Sequence, residues 1–213
     1  MQLIEKTIGF VKTTLSGAEG GHDWWHIHRV LENTRLIAGK EHASLFICEM
    51  GALLHDIADP KFHNGDEKKG NYLAKGFLKQ NSVPENQINA ILNIIDNISF
   101  SKGTDIVDKS IELQVVQDAD RLDAIGAIGI ARAFNYGGFK NRIMYDPSIP
   151  PKKYRSSNEY RNSNSPTINH FHEKLLLLKD LMNTKTGMEM AAKRHDFMLM
   201  YLQQFHKEWD GLP

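Results

Sequence analysis

The chain has 213 residues, with Lys+Arg and Asp+Glu both at 26 and a formal net charge of zero. That length fits one domain, with room for an added subdomain, and can bury a core without covalent staples. The charge balance argues against a generally basic nucleic-acid binder or an acidic tail protein, so no stable nucleic-acid partner is expected. The single cysteine, Cys48, excludes an intramolecular disulfide and a multi-cysteine zinc site.

The chain reads as mostly helical. Leu3, Ile4, Ile8, Val11 and Leu15 form one stripe at helical spacing, ended by the Gly-rich stretch 16–21. Asp23 is placed to cap a second helix running through Val30, Leu31, Thr34 and Ile37 to about Lys40. Residues 44–57 are so apolar that their helix belongs at the centre of the core. Asp66 can cap a helix from Glu67 to about Lys79. Ser82-Val83-Pro84-Glu85 has the form of a capping box ahead of Ile88, Ile91, Leu92 and Ile95. Residues 97–108 read as loop. From Ile111 a long apolar pattern continues through Leu122 to Phe134, with a break expected near Asp118. Residues 137–165 carry the loop signals Gly137-Gly138 and Pro150-Pro151, and hold six basic against two acidic side chains, a net +4. Loops this long inside a domain are usually functional or disordered. Two more helices follow, Thr167 to about Met182 and about Thr186 to Trp209. No alternating strand pattern occurs, and no apolar run reaches the ~18 residues of a membrane span. Residues 1–6 lack the order of a signal peptide, so the expected location is cytoplasmic.

Ten histidines stand out, because imidazole is the commonest metal ligand. His-Asp occurs three times. His195-Asp196 reads as a solvated polar face, and in His22-Asp23 the aspartate is explained as a cap. His55-Asp56 differs: it follows Met50-Gly51-Ala52-Leu53-Leu54, and ionisable neighbours in an apolar run must be satisfied. A buried His-Asp hydrogen bond would satisfy them, and so would a shared metal ion. Adjacent residues point about 100° apart on a helix, so they can share an ion only near a helix end or with ligands from other helices. His26 on the earlier helix and the cluster Asp118-Ala119-Asp120-Arg121-Leu122-Asp123 on a later one supply such partners.

The ordered set His26, His55-Asp56, Asp120 resembles the signature of the HD-domain metal-dependent phosphohydrolase superfamily. His22-Asp23-x-x-His26-x-x-Arg29-Val30, Leu54-His55-Asp56-Ile57-x-Asp59-x-Lys61-Phe62, Gln117 to Gly126, and Asn169-His170-Phe171-x-x-Lys174-Leu175 are similar to a bacterial subfamily. That subfamily includes manganese-dependent nucleoside triphosphate pyrophosphohydrolases. The resemblance covers nearly the whole chain. It implies an all-α HD-domain bundle with a C-terminal helical extension, one domain over 1–213 (core about 20–135, basic loop about 137–165, C-terminal helices about 167–209). It also implies His26, His55, Asp56 and Asp120 as ligands of one divalent metal, with Asp120 holding the superfamily's position. The mixed N/O set suits Mn, Fe, Co, Ni or Zn, and less strongly Mg; the family favours Mn2+.

The resemblance further implies a phosphorylated substrate, best a (deoxy)nucleoside triphosphate cleaved to monophosphate and pyrophosphate. The alternatives are a phosphomonoesterase or phosphodiesterase acting on another small nucleotide, and a nucleotide-sensing protein without turnover. Asp59 follows His55 by four and is a candidate to orient or deprotonate water or to protonate the leaving group; a turn before Pro60 is the competing account. His63, in the Gly turn His63-Asn64-Gly65-Asp66, is a candidate proton donor. Arg29, Lys61, Arg121 and Lys174 are phosphate-binding candidates, and Arg194 is a weaker one; each equally fits a surface salt bridge. Trp24-Trp25 either stacks a base or anchors the helix start, and the anchor is preferred. Cys48 reads as a small hydrophobe. His28, His42, His172 and His206 read as surface or packing residues. A homodimer is allowed.

Overall fold

The structure, a computed structural model, describes residues 2–17, 23–57, 69–98, 109–154, 159 and 163–213. It is helical, with no strand among the described residues. The chain divides into two compact units, Met1–Asp120 and Arg121–Pro213.

The first unit is built around α3 (Leu45–Leu54), which packs against α1 (Gln2–Thr14), α2 (Trp24–Lys40) and α5 (Glu85–Asn97). Every residue of α3 from Cys48 to Leu54 is buried, as a helix apolar on all sides must be. Leu53 and Leu54 are completely enclosed, and each such burial stabilises by about 1.5–3 kcal/mol. Gly51 lets α5 approach closely, since a Cβ there would lie 2.8 Å from Ile94 Cδ1. Glu49, the one charged residue of α3, accepts a 2.6 Å hydrogen bond from Arg35 Nε on α2. Helix α4 (Lys69–Gln80) packs on α5; the expected cap Asp66 lies outside the described residues.

The Ser82–Glu85 capping box does not form. Ser82 takes a left-handed φ of 56° and donates its N–H to the Lys79 carbonyl, so it terminates α4. Pro84 becomes the cap of α5 and has no side-chain oxygen to offer.

Helix α6 (Ile111–Asp123) runs unbroken through Asp118. The expected break comes later, at Ala124-Ile125, where Ile125 is extended and Gly126 adopts φ +76°. Only glycine takes that conformation cheaply, and a Cβ there would also press on the Arg194 side chain.

In the second unit, α7 (Gly126–Phe139) packs against α8 (Thr167–Glu173) and α9 (Lys185–Trp209). Gly137 and Gly138 close the last turn of α7 instead of opening the loop. The expected helix 167–182 is two pieces. It breaks at Lys174 (φ −145°, ψ −56°) and continues as a 3₁₀ helix, Leu175–Leu181. Leu175 and Leu178 are its buried residues, and a spacing of three matches three residues per turn.

The segment after α7 is tied down by Glu173. Its Oε1 accepts from Lys152 N (3.1 Å), Tyr154 Oη (3.2 Å) and Ser165 Oγ (2.9 Å). Buried Phe171 meets half-buried Phe134 and Tyr201, and Tyr201 meets Phe205, in an aromatic cluster joining α7, α8 and α9. No described helix is long and apolar enough to cross a membrane.

Candidate metal centre

The site residues are placed by helix ends. Asp23 caps α2 as its sequence position predicts, its carboxylate accepting from the backbone N–H of His26 at 2.9 Å. The cap fixes the first turn of α2 and with it the His26 side chain, which is buried. Trp24 packs near His28 and carries the Lys12 ammonium 4.6 Å above its ring, tying the start of α2 to α1. That is the anchor role; Trp25 is exposed.

Helix α3 ends at Leu54, so His55 and Asp56 stand in the turn just beyond it. This is the arrangement that lets two adjacent side chains aim at one point. His55 Nδ1 lies 2.8 Å from the Ala52 carbonyl. A carbonyl only accepts, so Nδ1 carries the proton and Nε2 keeps its lone pair, the form a metal ligand needs.

His26, His55 and Asp56 each present a ligand atom within 4.8 Å of the others. Asp120, on α6, joins through the imidazoles: its Oδ1 is 3.5 Å from His26 Nε2 and 4.0 Å from His55 Nε2. The two rings meet edge to face at 5.5 Å. Both histidine side chains are nearly enclosed (3% and 5% exposed), whereas Asp120 is 33% exposed. The cluster therefore has a buried nitrogen floor and an accessible carboxylate edge. Its hard and borderline donors suit a divalent cation, and four protein groups leave positions for water and a substrate oxygen. Asp118 is fully buried in the same turn of α6, and Gln117, also fully buried, donates to the Asn97 carbonyl at 2.7 Å. The pattern of polar residues amid apolar ones marks both positions in the sequence, but not which of them points inward.

Of the other candidates, Arg29 is half-buried one turn beyond His26. Asp59, Lys61 and His63 lie outside the described residues, as does His22. In the second unit Arg121 is only 7% exposed and its guanidinium donates to the Leu181 carbonyl; Arg194 likewise donates to the Leu122 carbonyl. Lys174 is half-buried at the break after α8. In the sequence His170, on α8, stands out only as part of Asn169-His170-Phe171-x-x-Lys174-Leu175. Burial, with the nearby charges of Lys174 and Arg142, pushes its pKa down to about 3. His195, expected on a solvated face, is half-buried, and its Nδ1 is enclosed with no hydrogen-bond partner among the described residues. Cys48 is fully buried and its thiol is pushed up to about 12, mainly by burial, as a packing residue requires.

The family model for the HD domain matches residues 24–125, the stretch that contains all four clustered groups. Over the full length, the chain is similar to the crystal structure of an HD-superfamily hydrolase from Bacillus thuringiensis. The two are 46% identical with a TM-score of 0.80, over 98% of this chain and 97% of that one. The chain belongs to the HD-domain superfamily of metal-dependent phosphohydrolases. It is also 37% identical over 210 residues to the uncharacterised protein YpgQ of Bacillus subtilis, covering 95% of this chain and 92% of YpgQ. The crystal structure of YpgQ in complex with ADP matches with a TM-score of 0.75 and 34% identity, over 96% of this chain and 97% of that one. The chain is thus a metal-dependent hydrolase with an all-α HD fold.

Proposed function

We propose that this protein hydrolyses (deoxy)nucleoside triphosphates to the monophosphate and pyrophosphate, using one divalent ion, Mn2+ first, held by His26, His55, Asp56 and Asp120. The observation that carries the reading is the convergence of His26 Nε2 and His55 Nε2 on Asp120 Oδ1, with Asp56 beside them. The ADP complex of YpgQ supports a nucleotide ligand. In this reading the whole chain works as one HD domain, in the cytoplasm.

When bound, the ion supplies Lewis acidity and lowers the pKa of water. The chain's own groups do the rest. The Ala52 carbonyl holds the His55 ring in its ligating tautomer. Asp23 fixes the turn that presents His26. Asp59 orients or deprotonates the attacking water, and His63 protonates the leaving group. Arg29, Lys61, Arg121 and Lys174 neutralise phosphate charge.

The test is a nucleotide panel incubated with each divalent metal and followed by product identification. Pyrophosphate release is the expected result. Inorganic phosphate alone would replace the reading with a phosphomonoesterase, and silence across the panel with a nucleotide-sensing protein. The His55→Ala and Asp120→Ala variants should lose metal and turnover together.

A further inference from the structure

The second unit carries an open cleft of about 270 Å³ between the segment following α7 and helices α8 and α9. That is just under the usual volume of a small-molecule site. None of its lining residues belongs to the metal cluster.

Its chemistry is one-sided. Asp146 supplies a carboxylate whose Oδ1 accepts from Ser148 N (2.8 Å) and Ser148 Oγ (2.7 Å), leaving Oδ2 for a ligand. The Ser148 bonds also hold this carboxyl below the usual range, so it is ionised at neutral pH. Asn169 spends its Nδ2 on the Ile149 carbonyl (2.8 Å) and Ser165 Oγ (3.3 Å), so its remaining polar atom is the acceptor Oδ1. Three prolines, Pro147, Pro150 and Pro151, offer carbonyls but no N–H.

The other polar groups are His172, His206 and the Tyr145 hydroxyl. None has a hydrogen-bond partner among the described residues, and each can accept as well as donate. Burial and the neighbouring His206 push His172 down, so it adds no positive charge at neutral pH. Tyr145 adds an aromatic ring, set edge to face with His206 at 5.2 Å and with Trp209 at 5.0 Å. Lys152 and Lys207, next in sequence to lining residues, are exposed and are not part of the lining. The one fixed charge in the cleft is therefore negative, and surplus acceptors face an aromatic wall.

We propose that this cleft is a binding site for a small organic cation, a primary amine or guanidine, whose N–H groups donate to Asp146 Oδ2 and Asn169 Oδ1 beside the Tyr145 ring. A phosphate or nucleotide tail meets a like charge and an excess of acceptors there, so the site is opposite in sign to the one a phosphohydrolase presents to its substrate. Carboxylates and aromatic rings are the usual partners of such cations.

Agmatine, which carries both head groups, is the probe. It is titrated calorimetrically into the full-length protein at 0.15 M salt with chelator present, which keeps the metal cluster out of the measurement. The His172 and His206 ring signals are followed by NMR in the same titration. Asp146→Asn keeps the Oδ1 that caps Ser148 and removes only the charge. One-to-one binding, movement of both histidine signals and at least tenfold weaker binding in Asp146→Asn are expected. Unchanged affinity in Asp146→Asn, unmoved histidine signals, absence of agmatine binding, or displacement of agmatine by equimolar pyrophosphate would each overturn the proposal. The NMR arm needs no variant, so a folding defect in Asp146→Asn does not blunt the test.

Discussion

Truncating His55 to alanine separates the metal role of this residue from its role in packing. In the metal-free protein the change removes the edge-to-face contact with His26 at 5.5 Å and one hydrogen bond, Nδ1–H to the Ala52 carbonyl at 2.8 Å, at the end of a buried helix. Such a bond is worth about 1 kcal/mol, and for a chain of this size that lowers Tm by roughly 2–4 °C. The metal-dependent part is larger. With free Mn2+ at about 100 times its dissociation constant, binding to the native state alone adds roughly 2.7 kcal/mol, or about 5–11 °C. Groups that merely support a ligand contribute roughly 10–100-fold in affinity, so losing one of the two enclosed imidazoles themselves should cost about the top of that range or more. The ratio of ion to dissociation constant then falls to about one, and the remaining stabilisation to roughly 0.4 kcal/mol, about 1 °C. Differential scanning fluorimetry with and without Mn2+, on wild type and His55→Ala, reads both numbers. A variant that melts a few degrees lower yet keeps the whole Mn2+-induced rise would refute the assignment of His55 as a ligand.

Other expectations follow from the same structure. Asp23→Ala removes the cap on the His26 N–H and should cost about 1 kcal/mol by urea denaturation. Gly129→Ala drives a Cβ into the Ala124 carbonyl, a backbone overlap that should cost about 1–3 kcal/mol in the same assay. The buried Cys48 thiol, pushed up to about 12, should not react with a thiol reagent at pH 8 until the protein is unfolded, since the thiolate is the reactive form. His170 is neutral in the folded chain down to about pH 3, while in the unfolded chain it protonates near 6.5. Between those values the unfolded state binds the extra proton, so stability falls on acidification by up to about 1.4 kcal/mol per pH unit and is level above 6.5. Urea midpoints from pH 7.5 to 4.5 in chelator should show a shallower fall for His170→Asn than for wild type. Equal slopes would mean that His170 takes up its proton in the native state.

The features read correctly from sequence are those in which one residue's chemistry decides local structure. Asp23 caps α2 because a short carboxylate before an apolar stripe has little else to bond to. The run Leu45–Leu54 is central because a helix apolar on every side has no other stable place. His55 and Asp56 reach one point because α3 stops at Leu54, and the need for a helix end followed from geometry alone. Misreadings occur where tertiary contact overrides a local pattern. Ser82-Val83-Pro84-Glu85 has capping-box wording, yet ending α4 with Ser82 in the left-handed region takes the serine away from α5. The leucine run after Lys174 satisfies an α-helical stripe and a 3₁₀ one equally in sequence, and the burial of Leu175 and Leu178 decides between them.

The break after α6 joins these two kinds of reading. The sequence allows a break near Asp118, in an apolar pattern that also contains Gly126 and Gly129. The structure buries Asp118 completely and keeps the helix going, which is affordable only if the carboxylate is satisfied inside. Continuity has a functional consequence: an α6 that broke at Asp118 would release Asp120 from the helix, and its Oδ1 would lose the fixed 3.5 Å and 4.0 Å approach to His26 and His55. The helix instead ends at Asp123, with the turn at Ala124-Ile125 ahead of the left-handed Gly126, so Asp120 stays on helical backbone. Substituting Gly126 by alanine therefore tests this coupling from outside the cluster. Strain at φ +76° and pressure on the Arg194 side chain should weaken Mn2+ affinity if the end of α6 is displaced. They should lower Tm alone, with the Mn2+-induced rise intact, if the helix holds Asp120 independently of its own end.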